Sequence, residues 1–238
     1  MKERPTLFNG PMVRAILDGV KTQTRRVIKS QPEGRGLRYC NEKTGWEDWH
    51  GNPYRCPYGK PGDQLWVRET WRTEVHGGDG GPWKMIGYAA TDNNESCREV
   101  PLEHSARFDE MWDKYQDRAW RPSIHMPRWA SRIQILVKDV RVERVQDISE
   151  EDARAEGVPP NWCGDLEGWN PDEHGFMCQE GLKHLISNPG DDWDGGYYRT
   201  GREAFQSLWN SINEKRDFGW DKNPWVWVVE FEKMEKDQ

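Results

Sequence analysis

The stretch Gly19–Arg26, GVKTQTRR, gathers cationic and hydroxyl side chains directly behind a predicted helix. The segment Pro11–Gly19, PMVRAILDG, predicts that helix, because proline suits the first helical turn and glycine suits the residue that follows the last turn. Lysine and arginine donate charged hydrogen bonds to phosphate or to base edges, and threonine both donates and accepts. The segment is therefore either an ordinary basic surface loop or a site for an anionic ligand such as a nucleotide or nucleic acid. The side chains that would form the site are Lys21, Thr22, Thr24, Arg25 and Arg26.

The composition is that of a folded but polar protein. Of the 238 residues, 34% are hydrophobic and 32% are charged, and the 15 tryptophans argue against disorder because disordered chains are poor in aromatics. We expect one elaborated domain over residues 1–238. No apolar stretch is long enough to span a bilayer, and the N-terminus lacks an apolar signal core, so we expect no membrane partner. Five cysteines without tight pairing favour a reducing, cytoplasmic setting.

The charge is distributed unevenly along the chain. The net charge is −7, yet residues 1–72 carry 14 basic against 8 acidic side chains, and residues 139–238 carry 11 against 23. Residues 118–138 hold five basic side chains and no acidic one. Because local potential rather than total charge steers a ligand, a basic face on an acidic body remains able to attract phosphate.

Hydrophobic patterning predicts an α+β protein. Two stretches rich in Gly, Pro and charge, at about 30–62 and 159–198, interrupt the pattern and are expected to be long insertions. The order of the remaining elements fits a small mixed β-barrel with flanking helices. The predicted strands are Gln64–Trp71, Lys84–Ala90, Arg132–Val145 and Asn223–Met234, and the later helices are Ser149–Gly157 and Thr200–Asn213.

Four motifs follow one another along the chain: Gly19-x-Lys21-Thr22-x-Thr24-x-Arg26, PGDQLWVRET (Pro61–Thr70), ISEEDARAEGV (Ile148–Val158) and WVWVVEFEK (Trp225–Lys233). In this order they resemble the motifs of the ASCH domain, a relative of the PUA domain. More closely, the chain resembles a phage and prophage branch of ASCH-like proteins, which implies the host cytoplasm as its location. The resemblance implies a PUA-like β-barrel with a cleft that binds RNA, DNA or a modified nucleoside, with RNA preferred over DNA as the polymer.

The resemblance also implies a chemistry. Some small ASCH proteins are amidohydrolases that remove the acetyl group from N4-acetylcytidine with a Lys, a Thr and a Glu. By the motif spacing these roles fall on Lys21 and Thr24, with Glu156 as first choice for the glutamate and Glu69 as second. Other ASCH proteins are ribonucleases or non-catalytic binding modules. The resemblance thus favours an amidohydrolase without a cofactor, with a nuclease second and a binding module as the alternative.

A second constellation lies in WRPSIHMPRWASRI (Trp120–Ile133). Cations interleaved with aromatic rings suit a stacked base and its phosphate, although the rings are equally expected in a core. The residues expected to line the ligand cleft, in addition to the first segment, are Arg68, Trp71, Arg121, Ser123, His125 and Arg128.

Zinc is the remaining candidate ligand. Cys40, His50 and Cys56 lie in the first expected insertion, and a second Cys/His/Cys set lies in the other, but neither contains a close CxxC pair. Unpaired thiols are the favoured interpretation, and no metal is expected. The second set is Cys163, His174 and Cys178.

Overall fold

A five-stranded mixed sheet forms the centre of the fold. The computed structural model describes residues 2–34, 36–41, 45–77, 83–91, 97–114, 119–158 and 200–235. The order of the strands is β1-β6-β10-β11-β2, in which β1 runs parallel to β6 and the other neighbours are antiparallel. Their bounds are Glu3–Leu7 (β1), Gln23–Val27 (β2), Gln64–Arg68 (β6), Gln134–Arg144 (β10) and Trp225–Lys233 (β11).

Two small antiparallel sheets accompany the central one. The first consists of β3 (Arg38–Asn41), β4 (Gly45–Glu47) and β5 (Pro53–Tyr54), and it lies within the stretch expected to be an insertion. It packs on the central sheet through Trp46, whose ring meets that of Trp227 edge-on at 6.0 Å. The second consists of β7 (Trp71–His76), β8 (Trp83–Tyr88) and β9 (Arg98–Glu99).

The described ranges contain four α-helices, three of which have a side-chain N-cap. Asn9 caps α1 (Gly10–Leu17), Ser149 caps α3 (Glu150–Ala155) and Thr200 caps α4 (Gly201–Asn213), each by accepting a backbone N–H of the first turn. The remaining helix, α2 (Ser105–Lys114), lies beside the β7–β9 sheet and buries Phe108 completely.

The helices α1 and α4 cover opposite faces of the central sheet. Because successive strand residues point to opposite faces, β11 sends Val229 and Phe231 towards the apolar side chains of α1, and Val228 towards those of α4. A third apolar cluster, around Trp71 and Tyr88, lies under β7–β9 and α2. The two faces of β2 consequently lie in two different surroundings.

The α+β class is confirmed, but the described strands do not close into a barrel. The central sheet is open, since β1 and β2 pair on one side only within the part of the chain described. The predicted strand Gln64–Trp71 divides into β6 and β7, which belong to different sheets. The second expected insertion, 159–198, lies outside the described residues, and no helix among the described residues is long and apolar enough to cross a membrane.

Candidate active site

Gln23–Arg26 belong to the strand β2 rather than to a loop, and Lys21 and Thr22 lead into that strand. Gly19, with φ of 74°, ends α1, and the backbone N–H groups of Val20 and Lys21 both donate to the Ala15 carbonyl at 2.9 Å. The chain then enters β2, which pairs with β11 at the edge of the central sheet. On the way, the Thr22 N–H donates to the carbonyl of Ala155, the last residue of α3. This bond fixes the C-terminus of α3 beside Lys21.

Lys21 and Glu156 form a buried ion pair at this junction. Lys21 Nζ donates to Glu156 Oε2 at 2.9 Å and to the Glu156 carbonyl at 2.6 Å. The exposed fractions of the two side chains are 0% and 4%. Gly157, with φ of 91°, allows this approach, because a Cβ there would lie 3.1 Å from Lys21 Cβ. Ion pairs so deeply buried are unusual, and they cluster at functional sites.

The burial perturbs the protonation of Lys21. Desolvation lowers the pKa of Lys21 below the ordinary lysine value, and the carboxylate of Glu156 only partly offsets that effect. The positive charges of Arg25 and Arg26 lower it further. The shift is towards the neutral amine, the form of lysine that accepts a proton.

Arg25 extends the cluster on the α4 face of β2. Its Nη1 donates to Glu156 Oε1 at 3.4 Å, and its Nη2 donates to Asp152 at 2.6 Å and to Glu143 at 3.1 Å. Burial alone would raise the pKa of Asp152, but Arg25 and Arg141 hold that pKa below its ordinary value. Since Asp152 and Glu143 are partly exposed, the network connects the buried pair to the surface.

Thr24 and Arg26 lie on the other face of β2, towards α1. Thr24 is buried opposite Val229, and Arg26 lies opposite Trp227. The Arg26 guanidinium stacks over the Phe8 ring at 5.1 Å and donates to the Leu7 carbonyl at 2.6 Å. Lys21 Nζ is 5.8 Å from the centre of the same Phe8 ring. Within the described residues no hydrogen bond joins Thr24 to the Lys21–Glu156 pair, and Thr22 is exposed.

The structure separates the two candidate glutamates. Glu69 is buried in a bidentate ion pair with Arg132, whose Nε and Nη2 both donate at 2.9 Å. Burial raises the pKa of Glu69, and Arg132 opposes the shift. The Arg132 guanidinium also stacks on Tyr88 at 4.0 Å. Glu156, rather than Glu69, is the carboxylate that contacts Lys21.

Arg68 and Arg128, two of the remaining expected ligand-binding residues, have structural partners of their own. Arg68 stacks on Trp66 at 4.6 Å and donates to the Ile124 carbonyl at 3.2 Å. Arg128 is held by both carboxylate oxygens of Glu3. These two arginines therefore connect neighbouring segments of the chain.

The Trp120–Ile133 segment is attached through Arg121 and Trp71. Their backbones exchange two hydrogen bonds, at 2.8 and 3.2 Å, and the Arg121 guanidinium lies 5.0 Å from the centre of the buried Trp71 ring. Arg121 also donates to Thr73 at 3.1 Å. Ser123 is half-buried and His125 is exposed on the short 3₁₀ turn that follows.

No protein-family model, curated protein or solved structure matches this chain. The candidate site consequently rests on its own geometry. Lys21, Arg25 and Glu156 converge in one buried cluster, and Thr24 and Arg26 lie across the same strand.

A cavity of about 830 Å³ lies elsewhere, between the β3–β5 sheet and the central sheet. Exposed Arg55 and Lys60 lie at this cavity, and the Tyr39 side chain at its wall is 57% exposed. Cations and aromatic residues are interleaved in this stretch of the sequence, whose glycines, prolines and charges predict an insertion rather than a small sheet. The charged and aromatic lining residues are Lys2, Arg4, Tyr39, Trp46, Tyr54, Arg55, Lys60, Asp63 and Asp139.

The first Cys/His set does not assemble a metal site. Among the described residues, Cys40, His50 and Cys56 do not come within a common ligand distance. Burial raises the pKa of the Cys56 thiol to about 12, which disfavours the thiolate that binds metal. The set formed by Cys163, His174 and Cys178 lies outside the described residues.

Proposed function

We propose that this protein binds a nucleoside and hydrolyses an N4-acylated cytidine amide, with Lys21 and Glu156 as the proton-handling pair. The observation that carries the proposal is the contact of 2.9 Å between Lys21 Nζ and Glu156 Oε2, both buried. A lysine and a glutamate that are brought together from distant parts of the chain, in surroundings that lower the pKa of the lysine, suit general acid–base catalysis. The sequence resemblance to ASCH amidohydrolases supplies the substrate class.

In the proposed reaction, water adds to the amide and releases the free amine and a carboxylic acid, which ionises to the carboxylate and a proton. Neutral Lys21 takes a proton from the attacking water, and the oxygen bonds to the acyl carbon. Arg26 supplies positive charge for the tetrahedral oxyanion. The C–N bond then breaks as the proton passes, through Glu156, to the departing N4 nitrogen. Thr24 is assigned to substrate positioning, because no hydrogen bond among the described residues joins its side chain to the pair.

A PUA-like fold is part of the same proposal. The α+β sheet with α1 directly before the GVKTQTRR segment supports it. The polar side chains that lead from Lys21 and Arg25 to the surface include the carboxylates Asp152 and Glu143. Both carboxylates are paired with Arg25 and Arg141, so the approach to the site carries charges of both signs.

The test is acetate release from N4-acetylcytidine. We expect the wild-type protein to release acetate and cytidine in equal amounts, and Lys21→Met and Glu156→Gln to lose activity by about 10²- to 10⁴-fold. Lys138→Met is the matched control, since Lys138 pairs with Glu232 at 3.1 Å on the surface. Equal rates for the wild type and both site variants would refute the assignment.

The cavity favours a second function, binding of single-stranded nucleic acid without catalysis. The side chains at its wall are four cations, two carboxylates and three aromatic rings, which suits bases stacked beside a phosphate backbone. Tyr39 and Trp46 already form an edge-to-face pair at 5.4 Å, which leaves the exposed Tyr39 ring available as a stacking surface.

This second function is tested by fluorescence anisotropy with short RNA and DNA oligonucleotides. If it operates, Tyr39→Ala weakens binding by about 1–3 kcal/mol, the contribution of one stacked base. Lys60→Ala should reduce the dependence of affinity on salt by roughly 0.7 in the log–log slope. Trp83→Ala is the matched control, because Trp83 is similarly exposed (52%) and does not line the cavity. Binding that is equal in Tyr39→Ala and Trp83→Ala would exclude the cavity as the site.

A further inference from the structure

Three potential metal ligands converge at the second small sheet, away from the residues assigned to catalysis. Glu74 and His76 are two positions apart on β7 and therefore share a face of the strand. Cys97 directly precedes β9, which pairs with β8 beside them. The donor atoms of these three side chains all lie within 4.8 Å of one another, and theirs is the set that meets this criterion among the described residues.

One oxygen of Glu74 faces both other ligands. Glu74 Oε2 lies 2.8 Å from His76 Nε2, and the Cys97 thiol donates to the same oxygen at 3.6 Å. The second oxygen, Oε1, accepts a hydrogen bond of 2.6 Å from Arg72 Nε. Arg72 thus fixes the orientation of the carboxylate through Oε1, as the hydrogen-bond partners of metal ligands do. Oε2 remains directed towards His76 and Cys97.

Gly87 on β8 makes this arrangement possible. A Cβ at Gly87 would lie 2.1 Å from Glu74 Oε1, so any larger residue would displace the carboxylate. Gly87 is paired with Arg72 across the β7–β8 ladder. The room that the missing side chain of Gly87 leaves for the Glu74 carboxylate therefore lies beside Arg72, which orients that carboxylate.

We propose that Glu74, His76 and Cys97 bind a zinc ion. Zn²⁺ takes thiolate, imidazole and carboxylate ligands at about 2.3, 2.0 and 2.0–2.2 Å, which in tetrahedral geometry puts sulfur and oxygen about 3.6 Å apart and nitrogen and oxygen about 3.4 Å apart. The thiol and carboxylate already have this separation, and the imidazole needs to withdraw by only about half an ångström. Three protein ligands leave the fourth position of the ion open to water or another ligand.

The first test uses Co²⁺ as a spectroscopic substitute for Zn²⁺ on the full chain, after removal of bound metal with a chelator. We expect one equivalent of Co²⁺ to produce a thiolate-to-cobalt charge-transfer band and the visible bands of four-coordinate Co²⁺, both abolished by one equivalent of Zn²⁺. Cys97→Ser should eliminate the charge-transfer band. Cys40→Ser, at a half-buried cysteine outside the set, should retain it.

Measurements of Zn²⁺ affinity distinguish the metal ligands from the residues that position them. His76→Ala should weaken Zn²⁺ binding by more than 100-fold, measured by competition with a chromogenic chelator. Gly87→Ala keeps every ligand but displaces Glu74, and should weaken binding by about 10- to 100-fold, as changes next to metal ligands do. Circular dichroism of each variant checks that the chain is folded. A charge-transfer band that persists in Cys97→Ser, or Zn²⁺ affinity that is unchanged in folded His76→Ala, would overturn the proposal.

Discussion

The buried pair of Lys21 and Glu156 makes a quantitative prediction about stability. Lys21→Met keeps most of the side-chain volume but removes the cation, so Glu156 remains buried with Arg25 Nη1 at 3.4 Å as its remaining charged partner. Glu156→Gln removes the charge that faces Lys21 Nζ. The double variant removes both charges, so neither is left uncompensated.

The expected magnitudes follow from the burial of the two side chains. Breaking a fully buried pair from one side costs about 3–5 kcal/mol of unfolding free energy, because the other charge is left without compensation. We expect Lys21→Met near the lower value, since Arg25 still contacts Glu156. The double variant should cost less than the sum of the single ones by about 1–3 kcal/mol.

A double-mutant cycle on the surface pair of Lys138 and Glu232 provides the matched control. Its N–O distance of 3.1 Å is similar, but its side chains are 52% and 53% exposed. Exposed pairs contribute about 0–1 kcal/mol, so the Lys138→Met and Glu232→Gln cycle should be nearly additive.

The assay is urea unfolding followed by tryptophan fluorescence, for which the chain has 15 tryptophans. Free energies are extrapolated to zero urea for the wild type and all six variants. If the Lys21–Glu156 cycle is additive within about 0.5 kcal/mol, or matches the surface cycle, the two residues are not energetically coupled. That result would refute a buried ion pair at this junction.

Three further predictions concern backbone, thiol and acid stability. Gly157→Ala should destabilise the protein by more than Gly19→Ala in the same urea assay, because both have positive φ but only a Cβ at 157 crowds other side chains, those of Ala15 and Lys21; equal losses would contradict the close approach. Since burial raises the pKa of Cys56 to about 12, its alkylation by iodoacetamide at pH 8, followed by peptide mass spectrometry, should be roughly 10³-fold slower than for an ordinary cysteine of pKa about 8.5; a normal rate contradicts the burial. The lowered pKa of Asp152 contributes stability that is present above its ordinary value of about 3.9 and is lost as the pH falls through the lower, folded value. Asp152→Asn should therefore flatten the acid limb of the stability curve below about pH 5, and an unchanged limb argues against its ion pairs.

The sequence predicted those elements whose stability comes from local signals. The caps of α3 and α4, Ser149 and Thr200, are the first residues of the predicted helices, and α1 begins one residue before the predicted start at Pro11. The closing strand, β11, lies within its predicted bounds because its apolar residues alternate between two cores. Capping residues and apolar alternation depend only on residues close together in the sequence, so they can be recognised before the fold is known.

The strand β2 was not visible, because its sequence, QTRRV, lacks an apolar alternation. On one face of β2, Arg25 forms ion pairs, and on the other face the Arg26 guanidinium lies over the Phe8 ring. The partners on both faces come from other segments of the chain. The choice between Glu156 and Glu69 was open for the same reason, since the contact of Lys21 with Glu156 spans 135 positions. Short strands β3–β5 were hidden by glycines, prolines and charges, and α2 was not predicted at all.

The most direct test of the central claim is the dependence of kcat/KM on pH for release of acetate from N4-acetylcytidine. If neutral Lys21 is the base, the rate rises with pH and levels off at a pKa below the ordinary lysine value of about 10.4, because burial lowers the pKa of Lys21. Lys21→Met should remove that limb together with the activity. A wild-type protein that releases no acetate, or a limb that is retained in Lys21→Met, would contradict the account.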